Sequence, residues 1–270
     1  MSDVLLFIQQ GWRNIWRQKS IWLFSVLPVV SQVILPTYDG AEQNIAMLCL
    51  YLVVTVLAIV VWDVSVIGVP YQAFTFTIGR SATIQETLAA VRRFSWRIVG
   101  CSALGIFLLL PCLFLGIGIA LNNSIQPSQV SNLLILVLRP LSIFSCLWSF
   151  AVFGFFENEW GIRTSLANAW GLFTSHFGAL ALLGLLVVGI WQTGSVLAGM
   201  LSIVLQSGSN TASLSNLNYL NPSTTLGSDP LFVLINGVNQ AIYNSLSASI
   251  FILAYLKYRG EKVPSMPKSG

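Results

Sequence analysis

Asn236, Gln240, Tyr243 and Ser247 recur at i, i+4, i+7 and i+11, a spacing that aligns them as one polar stripe on a helix through otherwise apolar sequence. Gln192 and Arg139 stand in two further apolar stretches. At ~1.5 Å per residue, all of these except Ser247 fall in the outer half to the middle of a bilayer crossed by those stretches. Polar side chains at such depth must face protein or water, so two readings stand side by side. The first is helix glue, each interhelical amide bond contributing only ~1 kcal/mol. The second is a candidate polar cluster of Arg139, Gln192, Asn236, Gln240 and Tyr243, forming a pocket or pathway for a polar or anionic solute with Arg139 as counter-ion. Pro111 and Pro140 would free backbone carbonyls beside it. Arg139 also lies only ~10 Å from the outer surface, a reach its side chain covers by snorkelling.

The remaining reactive residue types are sparse. Asp63, ~27 Å from the outer end of its apolar stretch, is expected near the inner interface, where Arg17 or Arg97 would pair with it. Glu157 and Glu159 read either as a carboxylate pair or as an acidic flank at a helix N-terminus. His176, the single histidine, opens an apolar stretch in aromatic surroundings and suits an interfacial hydrogen bond better than a proton relay. Cys49, Cys101, Cys112 and Cys146 lie within apolar stretches with no CxxC spacing, which leaves neither a zinc pattern nor a disulfide framework. No nucleophile with a positioned base emerges, so no catalytic residue, metal ligand or cofactor is assigned.

These residues are carried by a chain with 55% hydrophobic and only 8% charged residues and a mean hydropathy of +0.78, far from the roughly 25% charge of a soluble domain. Six apolar runs approach or exceed the ~20 residues needed to cross a bilayer: Ser20 to Pro36, Ile45 to Val69, Ile98 to Leu121, Asn132 to Phe156, Phe177 to Leu205 and Leu231 to Leu256. The first is short and carries Pro28, so a kinked or tilted helix is expected there. It is not followed by a small-x-small cleavage site and is read as retained. Residues 1–260 then form one transmembrane domain, and 261–270 a short cytoplasmic tail.

Twelve of the thirteen Lys and Arg residues fall before, between or after these runs on alternate sides only. The intervening stretches Tyr38 to Glu42, Asn122 to Ser131 and Gln206 to Pro230 hold Asp39, Glu42 and Asp229 but no cation. The positive-inside rule therefore places both termini of a multi-pass membrane protein in the cytoplasm. The sequence pI near 9.0 reads as basic loops facing anionic lipid head groups rather than nucleic acid, because the arginines flank apolar runs.

Before the first, third and fifth runs comes an amphipathic stretch: Leu5, Ile8, Trp12 and Ile15; Ile84, Leu88, Val91 and Phe94; Ile162, Leu166, Trp170 and Phe173. Thr83 and Glu86 have the spacing of a capping box that would start the second. The expected fold is all-α, with six transmembrane helices and three amphipathic interfacial helices lying flat on the cytoplasmic side. Arg13, Arg17, Lys19, Arg92, Arg93, Arg97 and Arg163 would meet head groups there. Ile15, Phe94 and Phe173 are spaced by 79 residues, as are Gly11, Ala90 and Ala169, a register that fits three repeats of about 79 residues. Gly100, Gly105, Gly178, Gly184, Gly194 and Gly199 would permit close helix packing.

The stretch Phe156-Glu157-Asn158-Glu159-Trp160-Gly161-Ile162-Arg163, continuing through Ala169-Trp170-Gly171-Leu172-Phe173 into Phe177-Gly178-Ala179-Leu180, resembles the recurring element of bacterial polytopic proteins related to the membrane domain of glycerophosphodiester phosphodiesterases. The opening Gly11-Trp12-Arg13-Asn14-Ile15-Trp16 is similar in style to the N-terminus of that family. The resemblance implies the six-span fold with surface helices. It does not carry over phosphodiester hydrolysis, because the soluble hydrolase domain and its acidic and histidine metal ligands have no counterpart here. A non-enzymatic role in membrane organisation, assembly or as an accessory subunit is expected, with the lipid bilayer and other membrane subunits as partners. The alternative is a transporter of a small polar, anionic or lipid-linked compound through the cluster around Arg139.

Overall fold

The computed structural model describes residues 2–34, 45–120, 127–207 and 230–260, of which residues 2, 30–34, 45–51, 106, 108–120, 127–142, 202–207 and 230–233 are described by their backbone alone. Among them are eight helices and no strand: α1 (Ser2–Arg17), α2 (Lys19–Ile34), α3 (Ile45–Thr77), α4 (Ile84–Ala120), α5 (Pro127–Asn158), α6 (Ile162–Ser175), α7 (Phe177–Ser207) and α8 (Pro230–Tyr258). The tail 261–270, the stretch Tyr38 to Glu42 and most of Gln206 to Pro230 lie outside the described residues.

Local chemistry accounts for the helix ends. The Thr83 Oγ1 accepts from the Glu86 N–H at 3.2 Å while the Glu86 carboxylate accepts from the Thr83 N–H at 2.9 Å, the reciprocal pair that starts α4 where the sequence predicts it. α3, α5 and α8 each run into a residue with positive φ, namely Gly79 (82°), Glu159 (56°) and Gly260 (85°). At Gly79 the turn is closed by the Arg80 N–H donating to Thr75 O at 2.9 Å, which satisfies a carbonyl the helix leaves open.

Two of the three expected surface helices are separate elements, and the middle one is not. α1 is set off from α2 at Gln18, and α6 from α7 at His176, whose φ of −125° and ψ of 30° leave the helical region. Residues 84–97 instead continue unbroken into the following apolar run as the 37-residue α4. Nothing between Phe94 and Val99 is a glycine or proline, so the helix has no local reason to stop there.

α3, α5 and α8 contact one another and form an inner triangle. Each is paired with the helix before it: α2 with α3, α4 with α5, and α7 with α8. The amphipathic segments close the arrangement in a ring. α6 packs along α5, the start of α4 along α3, and α1 along the last helix, α8. Of the residues spaced at 79, Ile15, Phe94 and Phe173 are all buried, as are Ala90 and Ala169, and Gly11 lies against Ile250. The expected apolar faces are split in the same way on α1 and α6. One edge is buried in protein, and the other leaves Leu5, Trp12 and Trp170 exposed.

Two helices are long and apolar enough to cross a membrane among the described residues, Leu52–Thr77 and Phe177–Leu201. Their outer faces, with Leu57, Ile59, Val60, Leu185, Val196 and Leu201, remain exposed. Exposed apolar faces of this kind suit contact with a membrane or a partner protein.

Candidate functional site

The interior of the triangle contains a cavity of about 360 Å³, within the range of small-molecule sites. α3 contributes Ser65 to its wall, α4 Ser102, and α5 Ser145, Trp148 and Ser149. α8 contributes Gln240, Tyr243, Asn244 and Ser247. These α8 positions lie at i, i+3, i+4 and i+7, so one face of one helix supplies much of the polar wall. Apolar side chains, among them Val66, Phe144 and Phe251, make up the rest.

Some of these polar groups are spoken for. The Trp148 Nε1–H donates to Ser102 Oγ at 2.9 Å, and the Ser149 and Ser247 hydroxyls donate back to the carbonyls of Ser145 (2.8 Å) and Asn244 (3.1 Å). The Ser65 hydroxyl, the Tyr243 hydroxyl and the Asn244 amide have no hydrogen-bond partner among the described residues. No described wall residue is charged.

Toward the end of the triangle where α3, α5 and α8 terminate, aromatic rings pack against one another. Phe74 stacks on Phe153 with centroids 6.5 Å apart, and Phe153 and Phe150 meet Tyr255 at 5.8 and 5.7 Å. Beyond them the charges gather. Lys257 pairs with Asp3 at 2.8 Å, Arg80 with Glu86 at 2.8 Å, Arg93 with Glu159, and Arg259 with Glu157, which also accepts from the Tyr255 hydroxyl at 2.8 Å. The Arg97 guanidinium donates to the carbonyl oxygens of Glu159 (2.9 Å) and Trp160 (3.3 Å). The exposed pairs among these are individually weak, and Arg259–Glu157 is half-buried, but together they tie α1, α4 and α8 to one end of the bundle.

The sequence-derived cluster is brought together only in part. Gln240 and Tyr243 share the cavity wall, together with Ser247 of the same stripe. Asn236 and Gln192 are half-buried elsewhere and are not among its wall residues. Arg139 lies in α5, and its side chain lies outside the described residues. α4 and α5 run on through Pro111 and Pro140. Asn244 was legible as the i+4 neighbour of Gln240. Ser65, Ser102 and Trp148 carried no sequence signal, because a lone serine or tryptophan in an apolar helix is ordinary.

Asp63 lies within α3, which continues past the expected Val69 to Thr77. It forms no ion pair among the described residues, and Arg97 is engaged with Glu159 and Trp160 instead. Glu157 and Glu159 do not converge as an acid-base pair, since each carboxylate has its own arginine. His176 stacks on Tyr258 with centroids 4.3 Å apart. Cys101 and Cys146 are buried free thiols. Gly100, Gly105 and Gly194 do admit close neighbours, in Ile162, the Phe144 ring and Asn239, whereas a Cβ at Gly178 would meet no described atom within 4 Å.

The described residues thus define an all-helical protein with two helices long and apolar enough to cross a membrane, a cavity whose described wall combines apolar and uncharged polar groups, and an ionic network at one end. No family model, no curated protein and no solved structure matches this chain.

Proposed function

We propose that this chain is a non-enzymatic, six-span integral membrane protein that serves as a membrane-organising, assembly or accessory subunit, with both termini on the cytoplasmic side of a bacterial inner or internal membrane. The observation that carries this reading is a ring of exposed tryptophans and cations at the charged end. Trp12 and Trp16 on α1, Trp96 on α4 and Trp170 on α6 are all exposed, Trp96 at 83%. Arg13, Lys19, Arg92 and Arg163 lie exposed on the same helices or at their ends. Tryptophan at the head-group level and arginine beside anionic phosphates is how a membrane protein seats its inner face. Arg93 and Arg97 are instead committed to Glu159 and Trp160, which leaves fewer head-group ligands than the basic residues alone suggest.

In this reading the six apolar runs are the spans, three units of about 79 residues form the ring, and the likeness to the membrane domain of glycerophosphodiester phosphodiesterases extends to fold without hydrolysis. The absence of a nucleophile with a base, seen in the sequence, agrees with a non-enzymatic role.

Gentle extraction from native membranes, followed by affinity purification and quantitative mass spectrometry, tests this. A protein partner at a fixed ratio, lost when Arg92 and Arg163 are both replaced by Gln, is the expected result. Recovery of the chain alone would transfer the weight to a second reading, transport of a small polar or lipid-linked compound. That reading draws support from the cavity wall shared by Gln240 and Tyr243.

A further inference from the structure

The cavity contains more hydrogen-bonding capacity than the protein uses. The Ser65 hydroxyl, the Tyr243 hydroxyl and the Asn244 amide line it without a described protein partner, so their bonds are available to a ligand or to water. They offer both donors and acceptors, and all are neutral. An anion or cation would enter without a described counter-charge, at a desolvation cost that neutral hydrogen bonds do not offset. Val66, Val69, Pro70, Phe144 and Phe251 supply apolar surface beside them. A ligand that suits this wall has an uncharged head with hydroxyl or carbonyl groups and an apolar remainder.

We propose that the cavity between α3, α5 and α8 is a binding site for a neutral amphiphile whose head bears hydroxyl and ester or ketone oxygens. Tyr243 and Asn244 hold the head, with the Asn244 amide donating to a carbonyl oxygen and accepting from a hydroxyl. The aromatic stack of Phe74, Phe153 and Tyr255 closes the site toward the charged end. The proposal rests on the reading of this chain as membrane-embedded, and it requires no subunit partner.

The test uses the full chain in detergent with a diazirine-bearing dioctanoylglycerol analogue as photoaffinity probe. Labelled peptides are expected from α3, α5 and α8. Unlabelled dioctanoylglycerol should suppress them at a concentration about tenfold below that needed by dioctanoyl phosphatidic acid, which has the same chains with a phosphate added, a factor that corresponds to one hydrogen bond or a modest desolvation cost. Tyr243→Phe and Asn244→Leu each remove hydrogen bonding at nearly unchanged volume, and each should weaken competition about tenfold. Equal competition by phosphatidic acid, or labelling confined to the exposed face of α7, would overturn the site, and neither result depends on how a variant folds. Release of the chain from membranes by alkaline carbonate would count against membrane embedding itself, and that outcome is separate from a failure to label.

Discussion

The side-chain amide of Gln18 donates to both the backbone carbonyl and the side-chain Oε1 of Gln72, 54 residues later, at 2.8 and 2.9 Å. Gln72 is fully buried and has its whole amide engaged, because its Nε2 donates to Thr87 Oγ1 at 2.6 Å and to Ala82 O at 3.2 Å, while Oε1 also accepts from Ser20 Oγ at 2.9 Å. One side chain therefore joins the α1–α2 junction, α3 and the start of α4. The equivalents of Gln18 in the 79-residue register are Arg97 and His176. They reach the ends of α5 and α8, through Glu159 and Tyr258, although Arg97 does so from within the continuous α4.

Gln72→Leu should destabilise the protein by roughly 2–4 kcal/mol, since several buried donors and acceptors lose their partner at once. A thermal melt in detergent, followed with a thiol-reactive dye that reports exposure of Cys101 and Cys146, would read this as a clear fall in midpoint. An unchanged midpoint would show that the hub is not structural.

Acidification should weaken the charged end. The Thr83 N–H, aided by Arg80, holds the Glu86 carboxyl below its ordinary 4.5, and the hydrogen bond from Lys257 holds Asp3 below its ordinary 3.8. A carboxylate with a lowered folded-state pKa stabilises the fold above its unfolded value, and that contribution disappears as pH falls through the folded value. Wild-type melting temperature should thus drop more steeply below about pH 4.5 than that of a Glu86→Gln, Asp3→Asn double variant. Parallel acid limbs for the two proteins would contradict the assignment.

Glu159 holds a positive φ that side chains other than Asn and Asp rarely adopt. Glu159→Gly should relieve that strain while losing the Arg93 pair, two effects of about 1 kcal/mol that oppose one another. Glu159→Val suffers both losses and should melt well below Glu159→Gly. Equal midpoints for the two would mean that the left-handed turn at the end of α5 contributes nothing.

At Gly68 of α3 the Phe24 ring of α2 lies close, since a Cβ there would lie 2.7 Å from Phe24 Cδ1. Gly68→Val should cost about 1–3 kcal/mol by overpacking, and the double variant with Phe24→Leu should recover part of it. A cysteine cross-linking or melting assay that shows no coupling between the two sites would refute the contact.

Much of this architecture was legible before any coordinates. Helical periodicity and the Thr83–Glu86 pair are local properties, and each is read by counting residues. The 79-residue register belongs to this group, for it named Ile15, Phe94 and Phe173 as equivalent, and all three are buried alike. The continuity of α4 was harder to see, because an amphipathic stretch before an apolar run has the same pattern whether it lies flat or stands in line with that run.

Tertiary structure alone decided which faces meet. The stripe on α8 was visible as a period of 3.6, but periodicity states only that Gln240 and Tyr243 share a side and is silent about what stands opposite. Ser65, Ser102 and Trp148 reach the same cavity from three other helices, and Asn236, one turn from Gln240, misses it. Likewise, the docking of the first helix on the last depends on packing between residues as distant as Gly11 and Ile250, which no local pattern encodes. The chain's own sequence determined its helices and where its charge lies, because those depend on neighbours along the backbone. The ring, the glutamine hub and the cavity emerged only when side chains far apart in sequence competed for the same buried space.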